Sequence, residues 1–325
     1  MRLATFNLES LDEPPRANLA LEERAEILRP QLLRLDADIL CLQEVNGQYV
    51  KGARERSLHA LDLLIAGTEY AGFERVASSG SGGHAIADVH NLVVLSRWPI
   101  EGHRAIHHDL VPPLEARIST AEPKQEGLTR IAFERSLLLA QIRVSAELKI
   151  NILNVHLRAP LASSIPGQKE APFVWKSVSG WAEGYLLSAW KRGAQAFEAR
   201  MAVDQIFDAD PHAGIIVAGD FNAEDHETPL KILAGAEEDT GNGRLAPRSL
   251  VILDRSIAED RRFSLLHHGR AQMLDHILAS RSMLARFRGI EVHNETLGDE
   301  LIGFGKTQHV AGSFHAPVVA TFEVE

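Results

Sequence analysis

Cysteine is almost missing from this chain: one residue in 325. Cys41 lies in the apolar run Ile39-Leu40-Cys41-Leu42 and reads as a small buried hydrophobe. No disulfide can form within one chain, which suits a reducing compartment. Nothing approaches the roughly 20 consecutive apolar residues of a membrane span. Met1 to Asn7 runs straight into a strand-like pattern with no apolar segment of signal-peptide length behind it, so the expected location is cytoplasmic. Positive charge is also short: 34 Lys and Arg face 44 Asp and Glu, a formal net charge of −10. That balance counts against the broad basic footprint that grips duplex DNA or RNA, although it leaves room for a local basic cleft. No Cys/His grouping has zinc-site spacing, and no Gly-x-Ser-x-Gly elbow marks a nucleophilic serine. There is no internal repeat, low-complexity tract or convincing linker, so one domain over residues 1–325 is the simplest organisation.

What is present is a recurring pattern: a short apolar strand ending in a polar residue. Gly214-Ile215-Ile216-Val217 leads into Ala218-Gly219-Asp220-Phe221-Asn222-Ala223, whose carboxylate and carboxamide share one side if the chain stays extended. A strand near residues 2–8 reaches Asn7-Leu8-Glu9-Ser10. Ile39 to Leu42 ends at Gln43-Glu44-Val45, Lys149 to Val155 at His156-Leu157, and Met273-Leu274 meets Asp275-His276. The chain closes on Ser313-Phe314-His315-Ala316-Pro317 and a last strand, Val318 to Phe322. Between these, residues 21–35 read as an amphipathic helix interrupted by Pro30, and Leu58 to Ile65 as a second helix. The alternation implies a layered α/β arrangement. Ser78 to Gly83 reads as a surface loop that could cover a substrate. Residues 160–196 break the rhythm and hold Trp175, Trp181 and Trp190 with Phe173 and Tyr185. They read as an insertion, followed by a helix over about 194–208, whose aromatics either pack on the body of the protein or select substrate.

Asn7, Glu44, His156, Asp220, Asn222, Asp275 and His315 thus form a set of polar strand ends. Carboxylates and carboxamides are the hard oxygen ligands that Mg²⁺ or Mn²⁺ prefers. A hard cation beside histidines and a carboxylate that can hold a water is equipment for hydrolysing a phosphate ester.

In order and local context these motifs, from Thr5-Phe6-Asn7 to Ser313-Phe314-His315-Ala316-Pro317, resemble the endonuclease/exonuclease/phosphatase superfamily. That resemblance implies an α/β fold, a four-layer αββα sandwich with two face-to-face mixed sheets flanked by helices. It implies Glu44 as the principal Mg²⁺ (or Mn²⁺) ligand with Asn7 assisting. It makes Asp220 the group that orients or deprotonates water, Asn222 and His156 contacts of the phosphate, and His315 a phosphate or water contact set by Asp275. Arg135 resembles a phosphate-contacting arginine of the deoxyribonuclease branch. Two departures stand out. Ser313-Phe314-His315 replaces the Ser-Asp-His usual in the family, removing an acid. Gln43-Glu44-Val45-Asn46 lacks the lysine of the abasic-site enzymes, so the chain looks closer to the deoxyribonuclease and sphingomyelinase side.

The function expected is therefore that of a metal-dependent phosphoesterase hydrolysing a phosphodiester, such as an endonuclease or exonuclease. The alternative is a phosphatase or phospholipase-type hydrolase of a small or lipid-linked phosphate ester, favoured by the acidic charge and the aromatic stretch. A binding protein on a disabled fold is motivated only by Phe314.

Overall fold

The structure is a computed structural model and describes residues 1–13, 19–49, 54–80, 86–300 and 312–324. The loop expected over Ser78 to Gly83 lies partly outside the described residues, from position 81 onward.

Two six-stranded mixed sheets form the centre. The first has the strand order Phe287–Val292, Val318–Phe322, Arg2–Leu11, Ile39–Val45, Asn91–Ser96, Glu74–Ala77. The second runs Val251–Ile252, Asp275–Ala279, Gly214–Asp220, Lys149–His156, Leu137–Arg143, Ile100–Ile106. Each has one parallel pair near its middle, Arg2–Leu11 with Ile39–Val45 and Lys149–His156 with Gly214–Asp220, and the other neighbours are antiparallel. Strands this apolar bury both faces, and period-two alternation sorts their side chains between two cores. Leu3, Cys41, Val94, Ile152, Ile216 and Ile277 meet between the sheets. Phe6, Leu40 and Leu42 point outward onto the helices Leu21–Leu35 and His59–Ile65. Leu153, Val155 and Val217 point outward onto the helices Val178–Ala209 and Thr228–Ala234. The result is the expected four-layer sandwich.

Two local expectations change. The helix Leu21–Leu35 continues through Pro30. Pro30 is exposed, on the side where a carbonyl left without its helical partner can bond water instead. The buried stripe is Leu21, Ala25, Leu28, Leu32 and Leu35, a helical spacing that places all five on one face. The second change concerns the aromatic stretch. Val178–Ala209 is one continuous 32-residue helix, capped by the Ser177 hydroxyl, which accepts from the Gly180 N–H. Its rear half packs on the sheet through Ala196, Ala199, Ala202, Val203 and Phe207. Its front half leaves Trp181, Tyr185 and Trp190 more than two-fifths exposed, and Phe173 just before it is 84% exposed. These rings do not simply pack on the body. Trp175 alone joins a small cluster with Ile118, Ile131, Ile165 and Leu187.

Buried polar contacts pin the sheets together beside the strand ends. The Gln43 amide donates to Asn154 Oδ1 at 2.8 Å, and Asn154 donates back to the carbonyls of Leu42 and Val93. Gln43 is in the first sheet and Asn154 in the second, so the residue before Glu44 fixes how the two sheets meet.

Candidate active site

Strand register builds half of the site. Asp220 lies opposite His156 in the parallel pair and opposite Asp275 in the antiparallel pair. Three polar side chains from strands far apart in sequence therefore stand in one row where the central strands of the second sheet end. Gly219, with φ +150°, makes the close approach possible: a Cβ there would sit 1.9 Å from the Val155 carbonyl oxygen, well inside any permitted contact.

The strand then turns at once. Asn222 is left-handed at φ +48°. Its N–H donates to Asp220 Oδ1 at 2.8 Å, while its Nδ2 donates to Asp220 Oδ2 at 3.1 Å and to the Leu157 carbonyl at 3.0 Å. Asp220 and Asn222 converge through an Asx-type turn, not through an extended chain as their spacing predicted. Asn7 reaches across from the first sheet and donates from Nδ2 to Asp220 Oδ2 at 3.0 Å. His156 Nε2 is 3.3 Å from the same oxygen. Burial and the neighbouring Asp275 carboxylate push the Asp220 carboxyl up to about 6, against the opposing pull of His315, the Asn222 N–H and Arg135.

His315 completes that side. Its Nδ1 bonds Asp275 Oδ2 at 2.8 Å. Burial alone would lower its affinity for a proton, but Asp275, Asp220 and Glu44 overcome this and raise its pKa to about 10. The ring is therefore an imidazolium near neutral pH, held between Asp275 and Asp220.

Glu44 enters from the first sheet, where a β-bulge between Leu42 and Val45 aims it into the cleft at φ +58°. Its Oε2 accepts from the Ser10 N–H and hydroxyl at 2.8 and 3.1 Å. Its Oε1 faces two imidazoles, His90 Nδ1 at 3.8 Å and His156 Nε2 at 3.7 Å. Burial pushes the Glu44 carboxyl up, but His90, Arg135, His315 and the Ser10 hydroxyl outweigh it and hold the group below its usual range. A partly buried ionised carboxylate with an oxygen turned toward the cleft is a fitting ligand for a hard divalent cation. Glu44, His90 and His156 could hold a metal ion together, and so could Asp220, Asp275 and His315.

Arg135 is half-buried rather than a solvated surface residue. Its guanidinium bonds His156 Nε2 and donates to the Leu157 carbonyl. Burial, with Arg135, His90 and His315 nearby, keeps His156 well below its usual pKa, so this ring is neutral. Arg192 donates to the Asn222 carbonyl at 2.7 Å, and Arg158 borders the same cleft. A local basic rim therefore exists on a chain whose total charge is negative.

His90 and His276 had no sequence signal strong enough to single them out, and Glu9 stood out only as an acid that could replace the one missing at Phe314. His90 precedes the strand Asn91–Ser96 and is left-handed at φ +59°. Its N–H is held by Asn46 Oδ1 at 2.9 Å. Glu9, also left-handed, accepts the Phe314 N–H and is pushed above its usual range by burial. His276 is fully buried between Asp254 Oδ2 and the Ala223 carbonyl, which anchors the turn after Asp220. Glu9, Glu44, His90 and Asn222 all occupy the left-handed region. Each such residue other than glycine costs on the order of 1 kcal/mol, and such strain clusters at functional sites.

Beside the cleft lies a groove of about 1330 Å³, lined by Leu114, Phe133, Trp190, Phe197 and Pro229 with Lys191 and Arg192 at its margin. Phe133 and Arg192 join it to the site, being two residues from Arg135 and bonded to Asn222 respectively.

The model of the Endonuclease/Exonuclease/phosphatase family matches residues 4–297. No curated protein matches the sequence. Solved structures do match in fold. An endonuclease/exonuclease/phosphatase from Bacteroides vulgatus is 14% identical with a TM-score of 0.59, over 100% of this chain and 98% of that one. An AP endonuclease from Archaeoglobus fulgidus is 16% identical with a TM-score of 0.55, over 100% of both chains. The 3′ phosphatase NExo from Neisseria, bound to a product DNA hairpin, is 16% identical with a TM-score of 0.53, over 100% of both chains. No described helix is long and apolar enough to cross a membrane.

Proposed function

Because the chain belongs to the Endonuclease/Exonuclease/phosphatase family, we propose that it is a divalent-metal-dependent phosphodiesterase, with Mg²⁺ or Mn²⁺ as the cation. The observation that carries this reading is the convergence of Asn7, Glu44, His156, Asp220, Asn222, Asp275 and His315 from both sheets onto one cleft. Glu44 would hold the cation, with Asn7 assisting. When bound, the cation supplies charge neutralisation at the phosphate.

Asp220 is the base. Its carboxylate is fixed by Asn7 and Asn222, and its pKa of about 6 suits proton transfer near neutral pH. It accepts a proton from the attacking water as the new P–O bond forms and the ester P–O bond breaks, and the departing alkoxide takes its proton from solvent. The His315 imidazolium, His156 and Arg135 supply donors and positive charge for the phosphate oxygens. Asn222 spends its amide protons on Asp220 and Leu157, so it would contact the phosphate only by releasing one of these. In the state seen it positions Asp220.

The groove beside the cleft supports a second reading of the substrate, a small or lipid-linked phosphate ester whose apolar part lies against Phe133 and Trp190. Neighbours acting on DNA, such as the NExo 3′ phosphatase with its product hairpin, support the nucleic-acid reading. A panel of phosphodiesters, phosphomonoesters and oligonucleotides, assayed with Mg²⁺ and with Mn²⁺, separates them. Turnover confined to diesters supports the proposal. Turnover of monoesters only would overturn it in favour of a phosphatase, and no turnover of any member would leave the binding-protein reading.

A further inference from the structure

His90 has an imidazole nitrogen with nothing to do. Its Nδ1 is buried and has no hydrogen-bond partner, although the side chain as a whole is 32% exposed. That atom lies 3.8 Å from Glu44 Oε1. A buried nitrogen without a partner forfeits its bond to water, a loss of about 1–3 kcal/mol, and it faces a carboxylate oxygen just beyond hydrogen-bond range. The backbone around it is built to keep it there. His90 holds φ +59°, a conformation uncommon outside glycine that histidine, asparagine and aspartate adopt more readily than other residues. Asn46 Oδ1 accepts its N–H. Asn91, fully buried, donates to the carbonyls of Val45 and Ala87 and accepts the Ala87 N–H. One network thus ties the segment carrying His90 to the strand carrying Glu44.

We propose that His90 Nδ1 is a direct ligand of the cation held by Glu44, making a mixed nitrogen and oxygen site that prefers a first-row transition cation to Mg²⁺. Ligand bonds of roughly 2.1 Å to nitrogen and to oxygen allow one ion to bridge atoms 3.8 Å apart. Imidazole raises affinity along the first transition row, whereas Mg²⁺ favours oxygen ligands alone. Among the described residues His156 is the other ring within 4 Å of a Glu44 oxygen, but its Nε2 is already taken by Arg135. The ring centroids of His90 and His156 are 5.9 Å apart and the rings are inclined at 77°, so His90 can engage the ion without displacing His156. The inference rests on Glu44 holding a cation, as proposed above, but not on hydrolysis.

The test is spectroscopic. Mn²⁺ bound to the full chain should show, in pulsed electron paramagnetic resonance, the coupling of a directly bound ¹⁴N nucleus. His90→Asn retains a residue that tolerates the left-handed backbone and should abolish that coupling. By calorimetry it should also weaken Co²⁺ binding at least about tenfold, the lower end of what loss of an outer-shell partner costs, with Mg²⁺ binding changed far less. If His90→Asn does not fold, His90→Gln serves the same comparison, and the wild-type spectrum decides nitrogen ligation without any variant. Bound Mn²⁺ with no ¹⁴N coupling in the wild type overturns the proposal. So does coupling that persists in the variant, which would assign the nitrogen to His156. An inactive protein whose Mn²⁺ still shows the His90 coupling would refute the phosphodiesterase reading and leave this one standing.

Discussion

The Glu9 carboxylate accepts the backbone N–H of Phe314 at 2.6 Å. Phe314 stands where an acid would have contributed to the site, and its ring is buried. Two acids nearby in the sequence of the first strand and its end, Glu9 and Asp12, could replace the missing one. Asp12 is committed elsewhere, since Asn46 and Gln48 donate to its oxygens at 3.0 and 2.8 Å. Glu9 remains near Glu44 and His315, but burial favours its neutral form. The space between Asp220 and Asp275 is answered by the His315 imidazolium, which already supplies the positive charge a second cation would bring. Isothermal titration should therefore give one tight Mn²⁺ site per chain, and Phe314→Asp should strengthen a weak second site. Two comparably tight sites in the wild type would contradict this.

The Asp275–His315 pair should set part of the pH dependence of stability. His315 binds its proton up to about pH 10 in the folded chain, against about 6.5 when unfolded. Between those values the folded state holds a proton the unfolded state has lost, so stability is full below about 6.5 and falls as pH rises toward 10. His276 is shifted in the same direction by Asp254, against its burial, so the informative quantity is the difference between proteins. In metal-free samples melted from pH 6.5 to 10, wild type should lose more Tm than His315→Asn. Equal losses would show that the pair contributes nothing.

Asp220→Asn should lower kcat by well over tenfold, the rate factor of about 1.4 kcal/mol. Its removal takes away the proton acceptor, and because the amide keeps one oxygen, either the Asn222 N–H or the Asn7 and Asn222 side-chain amides lose an acceptor. Circular dichroism should show an intact fold. A variant retaining more than about a tenth of wild-type kcat would mean that the base lies elsewhere.

The exposed front of the Val178–Ala209 helix invites a specificity test. Removing residues 160–196 outright would also remove Gln195, whose side chain bonds the Arg135 carbonyl and the Arg158 N–H, so a point substitution is cleaner. Trp190→Ala should raise KM several-fold for a phosphodiester with a long apolar chain and leave a short-chain analogue unchanged. As a 41% exposed residue, Trp190 should cost stability little, within roughly the 0.5 kcal/mol typical of surface changes. Equal effects on both substrates would remove the groove from substrate choice.

Much of this was legible from strand ends. Asp220 and His156 each close an apolar strand and Asp275 opens one, and those strands proved to be neighbours. Their order in the sheet was not readable, because pairing between segments dozens of residues apart depends on the whole core. His90 was invisible for a different reason. It sits before a strand rather than after one, and its direction comes from a left-handed backbone held by Asn46 and Asn91, which no local spacing announces. The partial burial of Arg135 was not readable, because burial of a residue before a strand depends on what packs over it, here Gln195 and the rear of the long helix. The same helix hid its length: its exposed aromatics and its alanine-rich packing face look like two different segments when read one after the other.

The most direct measurement is turnover of a chromogenic phosphodiester by metal-stripped protein, with excess chelator and with Mg²⁺ or Mn²⁺ restored. Activity should vanish in chelator and return with either cation, and Glu44→Gln should raise the cation concentration needed by at least about tenfold. Full turnover in excess chelator, or a Glu44→Gln protein with wild-type metal dependence, would contradict a cation held by Glu44 at the centre of the reaction.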